Sequence, residues 1–503
     1  MNTFLYGEQQ LTVALAMQIA KGTVKGILPP NTILRVQQSA IHVAAILQSN
    51  KTVYGINTGF GPLCDTLISP ADTQKLQYNL LISHAVGVGN AIEPLLAKLM
   101  LITKVQALAQ GYSGISLQVL QRIIWHIDND IIPLVPEKGS VGASGDLAPL
   151  AHLFLPLIGL GQVYINGVKC TVKDIEHTHP TYNVTPITLQ AKEGLALING
   201  TQFILAHAVL ALHKMQQLLN IADCVGALSL DAYMASVAPF TEVLHSLRPY
   251  QGTMLVAARL RNLLSGSQIV AAHQQCNRVQ DPYSLRCMPQ VHGASRNAYE
   301  HLYQLTTIEL NSVTDNPIVL SPTDSISGGN FHGQPLAMAL DYVTVAAAEL
   351  GNISDRRCYL LLEGKYGLPK LLVTHTGINS GLMIPQYTTA ALVTENKTLC
   401  FPASADSIPT SLGQEDHVSM GSISGRKLLQ VLNNVSYIYA IELLYAVQAI
   451  EFRLPLLTSL PLQKIITAVR SKVDFLTNDR PLQQDIENLI AIINDEENNG
   501  LFE

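Results

Sequence analysis

At 503 residues, with 48% apolar and only 14% charged side chains, the chain carries less charge than the roughly 25% usual in soluble proteins, so part of its surface is expected to be buried against partner subunits. A net charge of −6 without any Lys/Arg stripe excludes nucleic acid as a partner. A membrane is excluded too: residues 147–160 contain Pro149, His152 and Pro156, and residues 428–450 are interrupted by Gln430, Asn433, Asn434, Glu442 and Gln448, so neither is a continuous span of about 20 apolar residues. The seven cysteines (64, 170, 224, 276, 287, 358 and 400) include no C-x-x-C pair, which removes a zinc ribbon and argues against a disulfide framework. The first residues lack the basic region of a secretory signal, and a cytoplasmic enzyme is expected.

In chain order, residues 1–50 read as short helices broken at Pro29-Pro30. Tyr54-Gly-Ile-Asn-Thr-Gly-Phe-Gly-Pro62 is a glycine-rich loop opening on an aromatic hydroxyl, either a plain surface connection or a mobile loop over a site. Residues 76–84 start helical and finish on Ser83-His84, and a helix over 97–110 is stopped by Gly111. Ser116 caps an amphipathic helix whose stripe is Leu117, Leu120, Ile124, Ile127 and Ile131. Pro133 and Pro136 deliver the chain to Gly139-Ser-Val-Gly-Ala-Ser-Gly-Asp146, the densest glycine segment. Its centre, Ala143-Ser144-Gly145, suits either a flexible turn or very close backbone approach. In the second case the Gly145 nitrogen could close a five-membered ring on the Ala143 carbonyl, and loss of water and of the Ser144 hydroxyl would leave an electrophilic methylene. Residues 162–170 alternate around Asn166-Gly167 and predict a β-hairpin.

Further on, Asn199 lies in an apolar context beside Gly200, and Gln280, Tyr283 and Arg286 fall within seven residues. Arg286 could offer its planar fork to a carboxylate, or sit in an ordinary surface ion pair. A helix is predicted over 294–316. After Phe331, Leu336, Leu340, Val343, Ala347 and Leu350 form a bundle seam. Glu415, Asp416 and His417 crowd together in what reads as a solvated helix start, and residues 427–452 are apolar nearly all round, as in a buried bundle helix. Familiar catalytic templates fail: Asp146 stands where a nucleophile elbow needs Gly, Lys138-Gly139-Ser140 reverses a P-loop, and His84, His152, His292 and His417 have no metal-ligand spacing. Neither a metal nor a nucleotide is expected.

Taken together and in order, residues 54–61, Ser83-His84, 139–152, 193–202, 280–286, 330–335 and 414–420 resemble the histidine/phenylalanine/tyrosine ammonia-lyase family over essentially the whole chain. The resemblance implies a mostly α, long-helix bundle of the ammonia-lyase/fumarase-like type with a small β-hairpin. Residues 1–200 would carry the Tyr54 and Ala-Ser-Gly loops and 201–503 the long helices, as one cooperative unit. It also implies that Ala143, Ser144 and Gly145 become 4-methylideneimidazol-5-one (MIO), and that the protein is a homotetramer whose sites draw on more than one subunit.

The roles carried by the resemblance are these. Tyr54, its pKa lowered by neighbours, removes the β-proton, with Glu415 as the competing base or as the group orienting the substrate ring. Arg286 clamps the carboxylate, Asn199 and Gln280 bind the prosthetic-ring oxygen or the carboxylate, and Tyr283 and Phe331 shape the pocket. Ser83-His84 and Gln414-Glu415-Asp416-His417 are similar to the histidine-specific members, because a carboxylate can hold an imidazole N–H but would lie unpaired against a phenyl ring. The implied reaction is therefore L-histidine to trans-urocanate and ammonia, the alternative being a tyrosine or phenylalanine lyase or an aminomutase. Leu412-Gly413 replaces the common Ala-Asn and Leu382 a common Phe, changes expected to alter pocket shape. A fumarase-type serine-loop lyase and an inactive helical scaffold are the rival readings; intact Ala143-Ser144-Gly145, Tyr54 and Arg286 weigh against the scaffold.

Overall fold

The structure, a computed structural model, describes residues 2–49, 52–178, 182, 184–274 and 278–503; Cys276 lies outside them. At the N-terminus, β1 (Asn2–Leu5) and β2 (Val24–Ile27) pair in parallel, Asn2 opposite Val24, with α1 (Val13–Ala20) between them in sequence. Four-residue strands carry too little alternation to stand out, which is why a helical reading of residues 1–50 misses them. Pro29-Pro30 does not break a helix but begins α2 (Pro30–Gln48), with Pro30 at a position whose N–H would be unpaired anyway.

The chain continues through α3 (Thr73–His84), β3 (Val88–Ala91) and α4 (Pro94–Leu108), a helix buried on all faces over its last turns. Next, α5 (Leu117–Asp128) starts where the Ser116 hydroxyl accepts from the Val119 N–H at 3.4 Å. Its buried face is Val119, Leu120, Ile123 and Ile127; of the predicted stripe Leu120 and Ile127 are buried, Leu117 and Ile124 are half-buried, and Ile131 lies beyond the helix. Asp130 takes φ +51, the helix ends, and Ile131 opens β4 (Ile131–Pro133). Beyond it, β5 (Pro136–Lys138) pairs with β3, setting the base of the glycine segment before α6 (Leu147–Phe154). The hairpin forms as predicted from β6 (Gln162–Ile165) and β7 (Val168–Thr171), Asn166 and Gly167 both having positive φ, and β4 adds a third strand.

The remaining elements that matter here are α7 (Glu193–Ile198), α8 (Gln202–Ala232), α9 (Met288–Leu310), the strand pair β8 (Ile318–Ser321) and β9 (Asp324–Ile326), α10 (Gln334–Leu362) and α11 (Gly421–Glu451). The fold is mostly α with a few small sheets. In α10 the seam residues Leu336, Leu340, Val343, Ala347 and Leu350 are all buried. This helix has the length and hydropathy of a membrane span, yet 67% of its apolar window is buried in the protein, as in a core helix.

Two compact units emerge, and they do not follow a single cut near residue 200. The first comprises Met1–His213, Leu302–Asp341 and Pro402–Arg426; the second comprises Lys214–His301, Tyr342–Phe401 and Lys427–Glu503. The first unit recruits two later segments because they pack on the glycine loops. Inside the second, the fully buried Arg357 guanidinium forks onto Glu442 at 2.5 and 2.8 Å, and the Ser229 and Ser354 hydroxyls donate to the same carboxylate. Both charges of this pair are partnered, which offsets the cost of desolvating them.

Candidate active site

The first unit gathers the glycine segments around one centre. Ser144 sits at φ +53 between Ala143 and Gly145, and its hydroxyl donates to Glu415 Oε1 at 2.7 Å across 271 residues of sequence. Glu415 lies in a loop rather than at the predicted helix start. Its Oε2 accepts from Ser411 at 2.6 Å and Thr410 at 3.1 Å. Gly145 bridges to Gly200, whose carbonyl accepts the Asp146 N–H at 2.7 Å and whose own N–H reaches the Ser144 carbonyl at 3.4 Å. A Cβ on Gly145 would stand 2.1 Å from the Gly200 oxygen, so only hydrogen fits.

Two cavities open on this centre. One, of about 460 Å³, is lined by Tyr54, Phe60, Leu80, His84, Ser144, Leu195, Asn199 and Glu415 among others. The other, about 290 Å³, shares Tyr54, Ser144, Asn199 and Glu415 and adds Ala143, Phe331, His332 and His417. The Tyr54 hydroxyl accepts the Gly61 N–H at 3.3 Å. Burial raises the phenol above its ordinary value, the Gly61 hydrogen bond lowers it, and the Glu415 charge adds to the rise. The expectation of a lowered Tyr54 pKa is therefore wrong in direction: a carboxylate across the cavity disfavours a second anion. His84, at the end of α3, holds Nδ1 2.8 Å from the Leu80 carbonyl, and burial lowers its imidazole.

Tyr54, His84, Ala143, Ser144, Asn199, Phe331 and Glu415 are thus brought together. Gln280, Tyr283 and Arg286 line neither cavity and belong to the second unit, around the short helix Tyr283–Arg286. There the Arg286 guanidinium lies 4.6 Å from the Tyr283 ring centre and donates to Gln280 Oε1 at 3.0 Å, while Tyr283 is 71% exposed. Leu412 is 94% exposed and Leu382 fully buried, and neither lines these cavities.

Asp146 is a site residue that sequence reasoning passed over, using it only to reject a nucleophile elbow. It is fully buried; one oxygen accepts the Phe203 and Ile204 N–H groups at 3.0 Å each at the start of α8, the other accepts the Ser140 hydroxyl at 3.1 Å. Burial pushes it up to about 7 against the lowering by those hydrogen bonds. Its place directly after the Ala-Ser-Gly triplet was the available signal.

The family model for aromatic amino acid lyases matches residues 11–471. The chain belongs to that family. Within the family it is 45% identical over 489 residues to a histidine ammonia-lyase of Symbiobacterium thermophilum, covering 97% of this chain and 96% of that one. Among solved structures it is similar to histidine ammonia-lyase from Trypanosoma cruzi (TM-score 0.90, 39% identity, covering 100% of this chain and 95% of that one). It is also similar to tyrosine aminomutase from Streptomyces globisporus (TM-score 0.91, 33% identity, 98% and 96% covered).

Proposed function

We propose that this protein is a histidine ammonia-lyase, converting L-histidine to trans-urocanate and ammonia, with MIO formed from Ala143, Ser144 and Gly145. The observation that carries the reading is the Glu415 carboxylate facing the same cavity as His84 and 2.7 Å from Ser144, a charge that suits an imidazole N–H and penalises a phenyl ring. The three residues fit the group: Ser144 is already in the left-handed region, and Gly145 is pressed so closely on Gly200 that no side chain could intervene. MIO, once formed, supplies an electrophilic carbon that no standard side chain offers.

The chain's own residues do the rest. Tyr54 Oη accepts the β-proton of histidine; burial makes its phenolate a strong base, and the Gly61 N–H stabilises that phenolate. As the β-carbon loses its proton, the electron pair forms the Cα=Cβ bond and the α-amino nitrogen leaves with its bonding pair. Glu415 holds the imidazole, and Asn199 donates to the substrate carboxylate or the prosthetic-ring oxygen. We infer that Gln280, Tyr283 and Arg286 reach the site from another copy in a homotetramer. Low overall charge and exposed apolar side chains such as Leu247 (80%) and Phe401 (82%) support that assembly. The six described cysteines are free, which supports a cytoplasmic location.

Incubation with L-histidine, L-tyrosine and L-phenylalanine, following ultraviolet absorbance of the conjugated product, tests the reading. Urocanate from histidine is expected; its absence overturns the substrate assignment, and a β-amino acid product would make the protein an aminomutase. The intact mass is expected to fall short of the sequence by two waters, and Ser144→Ala to abolish the loss of the hydroxyl-derived water.

A further inference from the structure

Behind the Gly145–Gly200 contact lies a cation that the mechanism above does not use. Lys104, on α4, is 1% exposed, and its ammonium donates to the Asn199 carbonyl at 2.5 Å, with Gln202 Oε1 at 3.5 Å. Among the described residues no carboxylate pairs with it directly. The neighbouring Lys192 takes Asp315, at 2.7 Å, together with the Ser113 carbonyl. A buried cation without its own counterion costs several kcal/mol, and a neutral donor would have been enough to satisfy one carbonyl at the end of α7.

The peptide that Lys104 grips is the one between Asn199 and Gly200. Its other end, the Gly200 N–H, points at the Ser144 carbonyl oxygen at 3.4 Å. Charge on the carbonyl side polarises the N–H side, because hydrogen bonds in a chain strengthen one another in a low-dielectric interior. The Ser144 oxygen is where negative charge must gather during ring formation, the reading on which this inference rests. In the first dehydration the Gly145 nitrogen bonds to the Ala143 carbonyl carbon, and water leaves with the Ala143 oxygen and the Gly145 and Ser144 amide protons. In the second, Ser144 loses its α-proton and then its hydroxyl, again as water, leaving the methylene. Between these two losses the electron pair from the α-carbon rests on the Ser144 carbonyl oxygen.

We propose that Lys104 is a positioning residue for the second dehydration, polarising the Asn199–Gly200 peptide so that its N–H stabilises charge on the Ser144 oxygen. Lys104 thereby acts through the backbone, without touching substrate or the reacting atoms. Burial lowers Lys104 to about 7, opposed by the charges of Asp315 and Asp146 and reinforced by Lys192, which keeps the ammonium near its switching point inside this cluster.

Intact-mass spectrometry on freshly synthesised full-length protein, followed over time, separates the two losses. In Lys104→Met the second loss is expected to slow by about tenfold or more, less than the cost of deleting a direct oxyanion donor. A species short of one water should then accumulate while helical circular dichroism stays native. Lys104→Arg, which keeps the charge, is expected to restore the two-water deficit. If the native protein itself lacks any deficit, the ring reading fails. If the native protein and Lys104→Met both lose two waters at equal rates, only the Lys104 proposal fails. A folded Lys104→Met that loses no water at all also overturns it, since Lys104 would then be holding the turn for the first step. Lys104→Gln, a neutral donor, decides in the same way where Lys104→Met does not fold; failure of both to fold makes Lys104 a structural cation and overturns the proposal.

Discussion

In the proposed reaction Glu415 and Tyr54 divide the chemistry between them, and two substitutions should tell their parts apart. Tyr54→Phe removes the hydroxyl that the Gly61 N–H holds and that takes the β-proton in this proposal, so kcat is expected to fall roughly 10²–10⁴-fold with little change in KM. Glu415→Gln keeps the shape and loses the charge that grips imidazole; its histidine kcat/KM should drop sharply, and an unchanged value would refute its role. Steady-state kinetics on protein with its native mass deficit checks both. The sequence singled out both residues, which line one cavity, but misjudged the Tyr54 phenol, because its shift depends on burial and on a carboxylate 361 positions away in the chain, neither of which is visible in a local motif.

At the level of elements, long helices were readable where apolar residues kept a regular period, as in α5 and α10, or ran nearly all round, as in α11, and the hairpin where Asn-Gly marked its turn. Short parallel strands and the exit of α5 at Asp130 were not, since four residues or one left-handed residue leave no periodic trace. Asp146 shows how an element end can carry titration. Its folded pKa of about 7 lies above its ordinary value of 3.8, because burial outweighs the hydrogen bonds from the start of α8. Between those values the folded state holds more proton than the unfolded one, so this stability contribution is fully present below about pH 4 and is lost as pH rises through 7. Asp146→Asn is expected to flatten the pH dependence of the melting temperature across that window; an unaltered slope would show that other groups set it.

Across the whole molecule, the division of labour runs against chain order: segments 302–341 and 402–426 fold with the N-terminal unit. The Tyr54, Ser144 and Glu415 cluster is complete within that unit, whereas Gln280, Tyr283 and Arg286 belong to the other. If a site borrows the latter from a second copy, inactive Tyr54→Phe and Arg286→Ala chains should rescue each other. Co-expression is expected to yield mixed assemblies with measurable histidine turnover, while each variant alone stays inactive. Activity no greater than the two separate variants would mean that each chain supplies its own arginine.

The seat of Gly145 against Gly200, with Ser144 reaching Glu415, also bears on how the cell tolerates such a protein. The partners of the Ala-Ser-Gly triplet leave the ribosome after the triplet itself, one of them near the end of synthesis. On the proposed ring chemistry a nascent chain is therefore chemically harmless, and the reactive methylene is made only after distant segments have met. The two waters lost in that proposed chemistry would then serve as a permanent receipt of folding: weighing a population of chains would count how many ever reached the native state, even after they have been denatured.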